Sequence, residues 1–143
     1  MSLFDLLINE LTQRHPARGL RTTQSSSGDR SAIFPAAHPD VGDIVITEDG
    51  ETELIVYVGK FTHTHHANYN DKLRGTERDK AIVASVVGLL DEIFADRIVM
   101  WGSHKGGGGF AECEDPRSSA AAKKVRQHAG GAVPLFVWSG PLA

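Results

Sequence analysis

One cysteine, Cys113, stands in a chain of 143 residues. An internal disulfide and a multi-cysteine zinc knuckle are therefore excluded. Long apolar runs are missing too. The longest nearly unbroken one covers residues 81–90 and is interrupted by Ser85 and Gly88, where a membrane-spanning helix needs about 20 apolar residues. Basic charge is in deficit: 15 Lys and Arg against 18 Asp and Glu give a net charge of −3, so no global field attracts nucleic acid non-specifically. The opening stretch MSLFDLLINELTQRH has no basic n-region and carries Asp5 and Glu10. It reads as a helix rather than a secretory leader, and the expectation is a soluble, cytoplasmic protein.

What is present is ordinary globular material: 41% apolar and 23% charged residues, enough to bury roughly two-thirds of the unfolded surface without covalent staples. Leu3, Phe4, Leu7, Ile8 and Leu11 keep the spacing of an amphipathic helix, with Ser2 as N-cap and Pro16 and Gly19 behind it. Residues 22–30, TTQSSSGDR, read as a mobile polar loop. A further strand near Ile33 is compatible with the apolar patch that follows. GDIVI and ELIVYVGKF are strands joined through Asp49-Gly50, a hairpin turn whose register the sequence leaves open. Thr76 and Asp79 suggest a capping box for a long helix running to about Ala95. Residues 97–101 read as a strand, GSHKGGGGF as a turn, and residues 110–113 as a short strand. Asp115-Pro116 has the form of a helix start, residues 118–128 are helical, and residues 133–138 form a last strand. The expectation is one α+β domain over residues 1–143, a mainly antiparallel sheet with a long helix packed on it, in the order α-β-β-α-β-β-α-β.

Three features carry possible chemistry. The segment FTHTHHANYND holds His63, His65 and His66. If the strand from Glu53 continues, His63 and His65 project from one face about 7 Å apart. Two imidazoles so placed can grip zinc or manganese, with His104, His66 or Asp71 completing the shell and a metal-bound water as nucleophile. Second, residues 40–53 contain six carboxylates and no Lys or Arg. Glu48, Asp49, Glu51 and Glu53 make an acidic hairpin suited to a protein partner with a basic surface. Third, the glycine-rich turn around Lys105 lacks the order of a phosphate loop, since no Lys-Ser or Lys-Thr opens a helix there. It reads as a flexible hairpin tip. Cys113 lies among Glu112, Glu114 and Asp115, charges that disfavour a thiolate nucleophile.

The order helix, hairpin, helix, strand is similar to the core of PD-(D/E)xK nucleases over residues 3–101. That resemblance implies Asp43 and Lys60 in a magnesium-dependent site, but Val58 stands where the family places a carboxylate. With no complete catalytic constellation, the preferred reading is a noncatalytic binding module of the immunity or regulatory kind. The alternative is a metal-dependent hydrolase or metal-binding protein built on the His-x-His pair.

Overall fold

The computed structural model describes residues 1–69 and 72–142. It shows an α+β fold with α1 (Leu3–Arg14), β1 (Arg21–Gln24), β2 (Arg30–Phe34), β3 (Ile44–Asp49), β4 (Glu53–Val58), β5 (Thr62–Ala67), α2 (Gly75–Phe94), β6 (Ile98–Trp101), β7 (Gly109–Glu112), α3 (Ser119–His128), β8 (Phe136–Val137) and β9 (Gly140–Pro141). The strands form a five-stranded sheet in the order β1-β2-β3-β4-β5 and a four-stranded sheet in the order β7-β6-β8-β9. No helix among the described residues is long and apolar enough to cross a membrane.

The chain divides into two compact units. The first comprises Met1–Pro35, Ile44–Tyr57 and His63–Leu89; the second comprises Ala36–Asp43, Val58–Thr62 and Leu90–Ala143.

In the first unit, strand parity separates a buried from an open sheet face. Ala32, Phe34, Ile44, Ile46, Leu54 and Val56 are fully buried, while their neighbours Ile33, Val45, Ile55 and Tyr57 are only partly covered or exposed. The register agrees, pairing Ala32 with Ile46 and Phe34 with Ile44 across antiparallel β2 and β3. Helix α1 lies on the buried face: the Arg30 guanidinium sits 4.7 Å from the Phe4 ring centre, and His15 meets Phe34 edge-on at 6.3 Å. Leu3, Phe4, Leu7 and Leu11 form its buried stripe. Helix α2 adds Ile82, Val83, Val86 and Val87 to the buried set, and its Ser85 reaches His66 of β5. Each such large side chain contributes roughly 1.5–3 kcal/mol by leaving water.

Ser2 caps α1 through a complete capping box with Asp5. Replacing Ser2 by Ala should cost about 1 kcal/mol, read as a lower urea midpoint with an unchanged slope.

The loop expected over residues 22–30 is confined to residues 25–29, and its two ends belong to strands. Thr22, Thr23 and Gln24 pair with Ala32, Ser31 and Arg30 as the edge strand β1. All of β1 is exposed, so it carries no apolar alternation by which a sequence reading could find it. The strand foreseen near Ile33 is β2. The run from Glu53 stops at Val58, because residues 59–61 form a turn and the histidines begin a strand of their own. Gly59 takes φ +56°, and a Cβ there would stand 2.3 Å from the Val41 carbonyl oxygen. Helix α2 starts at Gly75, which places Thr76 inside it rather than at its cap.

The second unit has its own apolar cluster of Val99, Val125, Leu135 and Val137, with Trp101, Cys113, Val133 and Leu142 packed against it. Strands β6 and β7 pair antiparallel, Trp101 opposite Gly109. Helix α3 is capped by Ser118, and Asp115-Pro116 belongs to the preceding turn, where the Asp115 carbonyl accepts from Ser118 N–H. The foreseen last strand is a two-stranded corner, β8 and β9, folded about residues 138–139.

Candidate functional site

The open face of the five-stranded sheet carries the most chemistry. On β1–β3 the register lines up Arg21, Ile33 and Val45 in one row and Thr23, Ser31 and Thr47 in the next, with the Ser31 and Thr47 hydroxyls 2.9 Å apart. On β4 the same side presents Glu53, Ile55 and Tyr57, the last with 36% of its surface exposed. On β5 it presents His63 and His65, both exposed.

These side chains form a continuous cluster. The His65 Nδ1–H donates to Glu53 Oε1 at 2.8 Å. The His63 and His65 ring centres lie 5.2 Å apart at an interplanar angle of 72°. Tyr57 stacks against His63 with a centre separation of 5.6 Å. His66 points to the opposite side and does structural work. Its Nε2 pairs with Thr64 Oγ1 at 2.7 Å and its Nδ1 with Ser85 Oγ at 2.8 Å. Burial, and then the neighbouring His65, push its pKa below the ordinary 6.5. A neutral ring suits that position, since it donates one hydrogen bond and accepts the other.

Among the described residues, no group of three or more His, Cys, Asp or Glu side chains is arranged to hold a metal ion. His63 and His65 are neighbours in the first unit, whereas His104 belongs to the second. Asp71, the other candidate ligand, lies outside the described residues.

The acidic hairpin is smaller than its sequence suggests. Glu48 projects to the helix-covered side of β3, where its Oε2 accepts from Arg30 Nε at 2.8 Å and from Arg30 N–H at 2.9 Å. Glu53 is engaged by His65. Asp49 and Glu51 remain exposed at the tip.

Of the two residues suggested by the nuclease resemblance, Asp43 immediately precedes β3 and Lys60 lies in the turn after β4. Asp43 Oδ1 accepts from Ala36 N–H at 2.8 Å. The Lys60 N–H donates to the Val41 carbonyl at 2.8 Å. Val58 is fully buried, so that position faces the apolar interior. Cys113 likewise packs on the apolar cluster of the second unit.

Sequence reasoning located the histidine pair but missed Tyr57 and the reach of Glu53 to His65. The usable signal was parity: Glu53, Ile55 and Tyr57 share one face of β4, as His63 and His65 share one face of β5. No protein-family model, curated protein or solved structure matches this chain.

Proposed function

We propose that this protein is a noncatalytic binding module that docks a protein partner on the open face of its five-stranded sheet. One observation carries the reading: the face opposite the helices displays Ile33, Val45, Ile55 and Tyr57 beside polar Ser, Thr and His side chains. An apolar centre with hydroxyl and imidazole groups around it has the make-up of an interface surface, in which an aromatic anchor supplies much of the binding energy. The partner is a protein whose contact surface is apolar at its middle and basic toward one side, to complement Asp49 and Glu51 at the hairpin tip.

Affinity capture from the host cell's lysate, with mass-spectrometric quantification, tests this with two variants. Tyr57→Ala removes the anchor and should lower recovery of the partner at least tenfold, the loss expected when an interface anchor is truncated. Asp49→Lys combined with Glu51→Lys should lower it further at low salt than at high salt. Neither change touches the buried face, so the melting temperature should stay nearly constant. Equal recovery with wild type and both variants would remove this face from the account.

A further inference from the structure

We propose that two copies of this chain join through the outer edge of β1 (Arg21–Gln24), extending the five-stranded sheet across a two-fold axis. The contact lies on the edge of the sheet, so it is independent of whether a partner occupies the open face.

Which backbone groups this edge presents follows from the β1–β2 hairpin. The Ser25 N–H donates to the Asp29 carbonyl at 2.9 Å, and the Ser25 carbonyl accepts from Gly28 N–H at 3.0 Å. The ladder thus closes on a hydrogen-bonded pair, Ser25 opposite Asp29. Hydrogen-bonded and non-hydrogen-bonded pairs alternate along an antiparallel ladder. In the observed register, Thr23 with Ser31 and Arg21 with Ile33 are therefore the pairs that bond inward. Thr22 and Gln24 direct both N–H and C=O away from β2. Strand β1 ends its sheet and is exposed along its whole length. It has no Pro, Lys or bulge, the devices that guard many edges.

Self-complementarity identifies the occupant as a second copy. A two-fold axis at Thr23 sets Thr22 of each copy opposite Gln24 of the other, so that every outward N–H meets a C=O. The two Thr23 side chains then face each other in a non-hydrogen-bonded pair, a combination that favours strand pairing. Arg21 falls opposite Ser25, and the two Arg21 positions lie about 13 Å apart along the strands, where salt screens their repulsion. Other axes fit less well. One at Thr22 needs Leu20, which lies outside β1 beside Gly19 at φ +73°. One at Gln24 needs Ser26, which lies in the turn, and one at Arg21 sets like charges face to face. On the helix side, a groove lined by Met1, Phe4, Ile8 and Asn9 runs beside Thr22 and Gln24. Met1 is 82% exposed. The axis stands perpendicular to the sheet, so the second copy brings its own α1 to the same side and the two grooves adjoin. Pairing through β1 thereby also covers the apolar Met1 and Ile8.

Sedimentation velocity of the whole chain, from about 1 to about 300 µM, tests the contact. A reversible monomer–dimer equilibrium is expected without larger species, because a two-fold contact closes on itself. Thr22→Pro removes an outward N–H and no bond of the β1–β2 ladder. It should weaken dimerisation about tenfold or more while circular dichroism stays unchanged. Thr23→Lys sets two ammonium groups opposite each other and should weaken it likewise, more at low salt than at high. Thr23→Cys in a Cys113→Ser background, equilibrated with oxidised glutathione, should give a disulfide-linked dimer, and Thr22→Cys in that background should not. A chain that stays monomeric throughout this range would overturn the proposal and leave the edge to a strand of another protein or to none. Dimers as strong in Thr22→Pro and Thr23→Lys as in wild type would overturn it too, by placing the contact elsewhere.

Discussion

Gly108→Ala should lower stability by about 3 kcal/mol, while Gly106→Ala, two residues earlier in the same run, should change it by less than about 0.5 kcal/mol. The contrast arises from what a methyl group would meet. At Gly108 a Cβ would stand 2.1 Å from the Phe61 carbonyl oxygen and 3.0 Å from that of Trp101. Both obstacles are backbone, so neither can rotate away. At Gly106 the nearest atom is the Ser103 hydroxyl oxygen at 3.3 Å, the end of a short side chain that can give way. Gly102 is constrained like Gly108, since a Cβ there would approach the Gly107 carbonyl oxygen to 2.3 Å. The glycines of the β6–β7 turn therefore permit close backbone approach at fixed points. They are not interchangeable links of a flexible tip. Thermal unfolding of the two variants decides between these descriptions: a gap of roughly 10 °C is expected from the fixed turn, and equal melting temperatures would restore the flexible one.

The glycine run shows why part of this molecule was legible in its sequence and part was not. Glycines announce that something special happens, but their partners, Phe61 and Trp101, are set by tertiary approach and have no sequence signature. The α1 stripe of Leu3, Phe4, Leu7 and Leu11 was readable from its period. The open face of β4 was not, because Leu54, Ile55, Val56 and Tyr57 are apolar at both parities, the pattern of a strand covered on both sides, whereas Ile55 is only partly covered and Tyr57 is exposed. Strand β1 escaped because Arg21, Thr22, Thr23 and Gln24 are all exposed, and an edge strand with two wet faces has no period to read. The break after Val58 escaped because apolar Phe61 continues the run, although Gly59 turns the chain. At the candidate site, spacing placed His63 and His65 on one face, but it also made Glu48 and Glu53 look like free charge. Pairing with Arg30 and His65 depends on strand parity across different elements, which becomes visible only once the register is known.

Arg30→Ala is expected to cost about 2 kcal/mol, because several modest interactions end on one guanidinium. Its Nε donates to Glu48 at 2.8 Å, its Nη1 to Asp5 at 3.0 Å and its Nη2 to the Ser2 hydroxyl at 3.0 Å. Its plane also covers the Phe4 ring. One side chain thus ties the capping box of α1 to β2 and β3. Arg30→Lys should recover only part of the loss, since an ammonium cannot present the same fork of donors. The acid limb of stability should change as well. Hydrogen bonds from Ser2 and then from Arg30 hold the Asp5 carboxyl below its ordinary value of 3.8. The folded state thus favours the ionised form: the contribution is fully present above the unfolded value and is lost as pH falls through the lowered folded one. Arg30→Ala should make that loss smaller, so the gap between wild type and variant narrows as the pH falls through the lowered folded-state value. Urea unfolding across that range measures it, and a constant gap at every pH would mean that Arg30 acts by packing alone. Removing Arg30 leaves Asp49 and Glu51 at the hairpin tip unchanged. If the hairpin tip meets a basic partner, the variant should be less stable and yet hold that partner as tightly as wild type does at low salt. Stability would then fall while binding stays, which separates the role of Arg30 in folding from the role of the tip in recognition.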